Sequence, residues 1–399
     1  MKATLLIISL LFAITNGAAQ AELDSWMQNT TGETGYNGQP SNVQSVHYTS
    51  SNVYISCSCI PGYDIGPWAG NPNQAENQDF CYKITRNPQE ASIHQQTGMG
   101  HIGVWSNGVS IFNAKDAFSY NNQGVWNQDA LVFEGSTFDE CLGHPAPNGE
   151  YHNHINPTCL YDDLDDQNHS PIIGYAFDGF PVYGAYAYSN VDGSGVIKRM
   201  ETSYQLRSIT QRNSLSDGTA LSPNQYGPNV GTQYPLGSYL EDYEYVEGSG
   251  DLNEFNGRFC ITPDYPNGVF AYFVTIDENG DAVYPYTIGP NYYGSVQSGN
   301  TGHQSAHNTI PGNANSYNLN IEVVDVEFNM FPNPTDNLVH IDCAQEGSVS
   351  VYSLLGVLLD TLKHENSIST VNLEPYLSGI YIIQFKSDHF LVTKSVVKQ

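Results

Sequence analysis

The sequence predicts a mainly β protein, with a large β-rich N-terminal domain followed by a small antiparallel β-sandwich. Two observations carry this. Aromatic residues make up 12% of the 399-residue chain, with 28 Tyr and 37 Gly, against only 14% charged residues, a composition of strands and tight turns rather than of helical bundles. Short alternating or apolar runs then recur between Gly, Pro and Asn turn signals along most of the length.

In chain order, Lys2, an apolar stretch over residues 4–14 and the small-x-small end Ala19-Gln20-Ala21 read as a secretory signal peptide at residues 1–21. That stretch is shorter than the roughly 20 residues a spanning helix requires, and no later segment supplies one, so no membrane span is expected. Residues 22–44, rich in Gly, Asn and Thr, read as an extended lead-in. Strand-like runs follow at residues 53–56, 101–105, 109–112, 130–133, 172–177, 259–262 and 269–276, within a domain expected to span residues 45–295. Asp277-Glu278-Asn279-Gly280-Asp281 reads as a hairpin tip. As a calcium loop it would lack the sixth-position Gly and would carry Ile288 where a bidentate Glu belongs. Residues 296–326 have linker composition. Residues 327–399 alternate again between turn signals, as a small sandwich of short strands does.

The formal net charge of −28 excludes a nucleic-acid binder that works by neutralising phosphates. Seven cysteines in an exported chain point to disulfides with one left over. Cys57, Cys59, Cys81, Cys141, Cys159 and Cys260 lie in the main body, where many pairings are open, and Cys343 lies alone in the C-terminal segment. A Cys141–Cys159 bridge is favoured because these two bracket the stretch richest in reactive side chains.

That stretch holds the candidate site. His101, His144, His152, His154 and His169 all fall between residues 101 and 169. In an extended strand, residues two apart share a face about 6–7 Å apart, so His152 and His154 in Tyr151-His152-Asn153-His154 can reach a common ion. A Pro/Gly turn through residues 145–149 brings His144 back as a third ligand, and His169 is a candidate fourth. A nitrogen-rich set of this kind suits zinc or copper. The other reading of the pair is structural, with both imidazoles hydrogen-bonded inside a Tyr-rich strand. Asp178, at the end of an apolar strand before Gly179 and Pro181, is a candidate catalytic base, a metal ligand, an orienting carboxylate or a turn cap. No phosphate loop, nucleotide fingerprint, Gly-x-Ser-x-Gly elbow or His-Glu-x-x-His helix occurs.

Long words in one order, GHIGVWSNGVSIFN, VWNQDA, DECLGHPAPNGEYHNH with INPTCL, HSPIIGYAFDGFPVYGAY and FNGRFCITPDYPNGVFAYFVT with YPYTIGPNYYG, resemble the YHYH domain over roughly residues 40–295. The resemblance implies a His-rich signature on His144, Tyr151, His152 and His154, with His169 and Asp178 in the next block. Asn153 departs from it, standing where the second Tyr of the namesake motif belongs. The FPNPT opening, the VYSLLG and LSGIYIIQF segments and the Lys-containing tail of residues 327–399 resemble the C-terminal sorting domain of type IX secretion cargo in Bacteroidota. This implies the type IX machinery as partner and delivery through the periplasm to the surface or medium. The resulting expectation is a secreted, metal-binding YHYH protein, either a metal-dependent hydrolase or a copper redox protein. The rival is a non-catalytic surface module that binds a glycan or other small molecule through its tyrosines.

Overall fold

The computed structural model describes residues 20–301, 305–318, 328–353, 358–365, 367–387 and 391–399. Most of the expected signal peptide lies outside them. The chain divides into two compact units at residue 319.

The first unit is built on two sheets. The smaller holds β1 (Val43–Tyr48), β2 (Asn52–Cys57) and β3 (Phe80–Thr85), antiparallel throughout. In β3 the inward residues are Phe80, Tyr82 and Ile84, while Cys81, Lys83 and Thr85 face outward, the period-two pattern of a sheet with one face on the core. The larger, eight-stranded sheet contains β4 (His101–Trp105), β5 (Ser110–Phe112), β6 (His144–Pro145), β7 (Tyr151–Asn153), β8 (Ile172–Ala176), β9 (Pro181–Tyr183), β10 (Gly257–Cys260) and β11 (Val269–Phe273), in the order β10-β11-β9-β8-β4-β5-β7-β6. Its inner strands β4, β8 and β11 are buried at every position, because both of their faces are covered. One apolar core joins the two sheets, and Tyr82 stacks on Phe177 across it with ring centres 5.5 Å apart. Asn107-Gly108 turns β4 into β5. Gly108 has φ +83° and Cys57 packs against its backbone, so a side chain there would meet both strain and a clash.

Three expectations change here. Residues 130–133 are not a strand but part of helix α1 (Ala130–Glu134), because the Asp129 side chain accepts the Leu131 N–H and caps a helix start. The lead-in packs: Leu23 and Trp26 are buried, and Asn29 N–H bonds to Val43 O. Residues 296–301 and 305–318 also belong to the first unit. Cys81 N–H donates to Ala306 O, buried Asn300 accepts from Lys83 N–H and donates to Lys83 O, and strand β12 (Asn315–Tyr317) pairs with β1. Polar side chains here satisfy backbone groups instead of spacing two domains. The turn at residues 277–281 forms as expected, with Asp277 accepting from Asn279 and Asp281 N–H.

The second unit is an antiparallel sandwich of a three-stranded and a four-stranded sheet, built from β13 (Asn329–Phe331), β14 (Leu338–Asp342), β15 (Gly347–Ser353), β16 (Leu358–His364), β17 (Ile368–Asn372), β18 (Gly379–Lys386) and β19 (Leu391–Lys398). Its core holds Val339, Ile341, Val349, Val351, Ile383 and Phe385, with Cys343 buried among them. Part of the VYSLLG segment falls outside the described residues.

Candidate metal centre

The centre is assembled by a short hairpin and a short helix. β6 pairs antiparallel with β7, which puts His144 directly opposite His152, and β7 runs parallel to β5. His154 follows two residues on and shares the face of His152, while Tyr151 and Asn153 point the other way. Those two hold the connecting loop in place. Tyr151 Oη donates to both oxygens of Asp139, at 3.1 and 3.0 Å, and Asn153 Nδ2 donates to Cys141 O at 3.1 Å. Asp139 also accepts from Gly66, Cys141 and Gly143 N–H and from Trp68 Nε1. Gly143 passes so close to Tyr151 and Asn153 that any Cβ would collide with them. The Cys141–Cys159 disulfide ties the start of this segment to its end.

Helix α1 supplies Glu134 as its last residue. One donor atom from each of Glu134, His144, His152 and His154 lies within 4.8 Å of the others. All three imidazoles are buried, and Glu134 is partly exposed. His152 Nε2 and His154 Nε2 are 3.1 Å apart, and Glu134 Oε2 lies 3.3 Å from His144 Nε2 and 3.4 Å from His154 Nε2.

The hydrogen bonds on the far side of each ring fix which nitrogen carries the proton. His152 Nδ1 meets Glu150 O at 3.0 Å and His154 Nδ1 meets Asn113 O at 2.5 Å; a carbonyl can only accept, so both Nδ1 atoms donate. Thr137 Oγ1 spends its own proton on Glu134 O, so at 2.7 Å from His144 Nδ1 it acts as acceptor there as well. In the neutral rings all three Nε2 atoms therefore present lone pairs toward one another and toward a carboxylate. His144 Nε2 has no hydrogen-bond partner, since its neighbour Oε2 is also an acceptor. Converging buried acceptors repel until a cation or proton sits between them.

The electrostatics follow from this crowding. Burial, and then the positive forms of His144 and His154, push the His152 imidazole well below its ordinary range. Burial raises the Glu134 carboxyl, but the hydrogen bonds that His144 and His154 donate to it once protonated, together with that of Asp116, outweigh burial and hold the group far below the usual carboxylate range. Asp116 moves the other way, pushed up to about 7 by burial and then by its hydrogen bond and like charge with Glu134. The cluster opens on a cavity of about 590 Å³ whose walls include Met99, Phe112, Lys115, Phe118, Pro145 and Pro147. Phe112 stacks on His152 with ring centres 3.8 Å apart.

Other residues singled out in the sequence lie elsewhere. His169 is not among the converging groups; its ring packs on Tyr183 and Tyr188, and Nδ1 bonds to Ser170 O at 2.8 Å. Asp178 is fully buried, with Oδ2 accepting from Tyr272 Oη at 2.6 Å and Gly294 N–H at 2.7 Å and Oδ1 accepting from Phe180 N–H at 3.2 Å. It caps its turn and ties it to β11. Cys57, Cys59, Cys81 and Cys260 are thiols, which corrects the expectation that all six body cysteines pair. Cys57 lies opposite Phe80 and Cys81 opposite Ser56, so the first points into the sheet's core face and the second out of it, and no bridge can join them. Glu134 was missed because residues 130–133 read as a strand. The Asp129 cap just before them was the available signal.

Comparison with known families agrees with both resemblances. Residues 81–283, more than half of the chain, match the family model described as YHYH protein, and residues 329–399 match the secretion system C-terminal sorting domain. No curated protein matches the chain. The sorting domain implies an interaction with the type IX secretion machinery and marks a protein that is secreted to the cell surface. No described helix is long and apolar enough to cross a membrane. A family-specific signature and a secretion address thus lie on one polypeptide, and the chain belongs to the YHYH protein family, with a secretion-system sorting domain at its C-terminus.

Proposed function

We propose that the exported domain binds a transition-metal ion, zinc or copper, through Nε2 of His144, His152 and His154 together with the Glu134 carboxylate. The observation that supports this is the anchoring of all three Nδ1 atoms by fixed acceptors, which turns three Nε2 lone pairs onto one buried point beside a carboxylate. Ligand imidazoles are commonly held from behind in this way. With nitrogen and oxygen donors and no thiolate in the cluster, the set suits zinc or copper(II) better than softer ions. Bound there, a metal with an open position would supply Lewis-acid activation to a small molecule in the adjoining cavity. The chain's own part is to orient the three rings, keep His152 neutral by burial, and exclude bulk water with Phe112 and Phe138.

Elemental analysis of the full chain, purified without chelating resins from a metal-replete host, tests the reading. About one zinc or copper per chain is expected, along with stoichiometric rebinding after chelation. No ion on isolation and none bound at micromolar concentration would refute it, and would favour a metal-free binding module for small molecules.

A further inference from the structure

We propose that Ser305, His101 and Glu150 form a second, metal-independent site: a Ser-His-Glu nucleophile relay that hydrolyses uncharged carboxylic esters. His101 Nε2 lies 2.8 Å from Ser305 Oγ, and His101 Nδ1 lies 2.8 Å from Glu150 Oε1. Ser110 Oγ donates to that same Oε1 at 2.6 Å, so the oxygen acts as an acceptor and the proton between it and His101 rides on Nδ1. Nε2 is then left as the basic nitrogen facing the serine. The Ser305 hydroxyl donates to Asn300 O at 2.8 Å, and His101 Nε2 lies equally near, so a rotation about the Cβ–Oγ bond turns the proton from the carbonyl to the base. His101 and Glu150 are each only 6% exposed, which holds the relay rigid and strengthens its polar contacts.

All three residues line a cavity of about 490 Å³, separate from the metal cluster, that shares Phe112, Met99 and Pro147 as a common wall with the larger one. Phe80 adds to its apolar surface, and among the described residues lining it none is Lys or Arg. Such walls fit an uncharged acyl group rather than an anion. In the reaction, Ser305 Oγ attacks the ester carbonyl carbon while its proton moves to His101 Nε2. The carbon–oxygen bond to the alcohol then breaks, and His101 returns the proton to the departing oxygen. Water repeats the sequence on the acyl-serine, giving its proton to His101 and releasing the acid as the serine is reprotonated. The net change is ester plus water to acid plus alcohol. Glu150 is a positioning residue, and its backbone carbonyl also holds His152 Nδ1, so one residue sets both sites.

The test is covalent labelling of the full chain with a fluorophosphonate, in which the serine oxygen displaces fluoride from phosphorus. One adduct per chain is expected, located on Ser305 by peptide mapping and unchanged by prior chelation of metals. Ser305→Ala should abolish it, and His101→Ala should slow labelling by about 100-fold or more. Absence of an adduct on the unsubstituted chain, an adduct on another residue, or loss of labelling on chelation would each overturn the proposal. Mapping on the unsubstituted chain decides the matter even if a variant fails to fold.

Discussion

Replacing His144 by Ala removes one of four converging donor atoms from the cluster and leaves the backbone pairing of its strand intact. Structural zinc sites with four ligands bind with about 10–16 kcal/mol at neutral pH, so an even share is about 2.5–4 kcal/mol per ligand. At about 1.4 kcal/mol per tenfold, affinity should fall by roughly two to three orders of magnitude. Thr137→Val keeps all four ligands and deletes the hydroxyl that accepts from His144 Nδ1 and donates to Glu134 O, so it should cost about 10- to 100-fold. His169→Ala should leave affinity unchanged, because that ring stands among Tyr183 and Tyr188. Competition against a chromophoric chelator at neutral pH reads all three in one assay, with a thermal melt confirming that each variant is folded. If folded His144→Ala, His152→Ala and His154→Ala each bind within threefold of the unsubstituted chain, the cluster is not the metal site.

Other outcomes follow from the same geometry. The metal-free domain should lose stability as pH falls below about 6.5, since a buried imidazole with a lowered folded-state pKa favours the neutral folded form above the unfolded pKa and loses that preference as protons bind; urea melts from pH 8 to 5 check this, and His152→Gln should flatten the decline. Asp178→Ala strands three donors, Tyr272 Oη and the Gly294 and Phe180 amides, and should cost about 3 kcal/mol or more of unfolding free energy; an unchanged melt with altered chemistry would restore it as a catalytic candidate. Non-reducing peptide mapping should show Cys141 joined to Cys159, with Cys57, Cys59, Cys81 and Cys260 alkylated only after unfolding or slowly, and reduction should cost about 3 kcal/mol for a loop of this size. Ending the chain at residue 318 should leave a folded domain in the periplasm, whereas ending it at 295 should lower its melting temperature by stripping β12 from β1 and Ala306 from Cys81.

Much of the site was readable in the sequence because it depends on local geometry. The spacing of His152 and His154 settles their common face whatever surrounds them, and the Pro/Gly turn after His144 returns the chain within a few residues. The sorting domain was readable for a similar reason, since its alternation and its words are contiguous. Polar segments were misjudged. Residues 22–44 and 296–318 looked too rich in Gly, Asn and Ser to pack, yet they dock by side chains and amides that satisfy the backbone of β1 and β3, an interaction no periodicity records.

By itself, then, the sequence determined the β architecture and the His-x-His pair, which rest on composition, period and short separations; the secretion address came through the resemblance of its last segment to a sorting domain, and the Cys141–Cys159 bridge was favoured among pairings left open. Only the tertiary structure decided that Glu134 joins the histidines while His169 does not. It also decided that Thr137, Glu150 and Asn113 choose the tautomers and that Ser305 meets His101 across more than 200 residues of chain. The physical reason is that ligand sets and proton relays are made of directions and distances between side chains on different elements, and these exist only once the two sheets have shared a core.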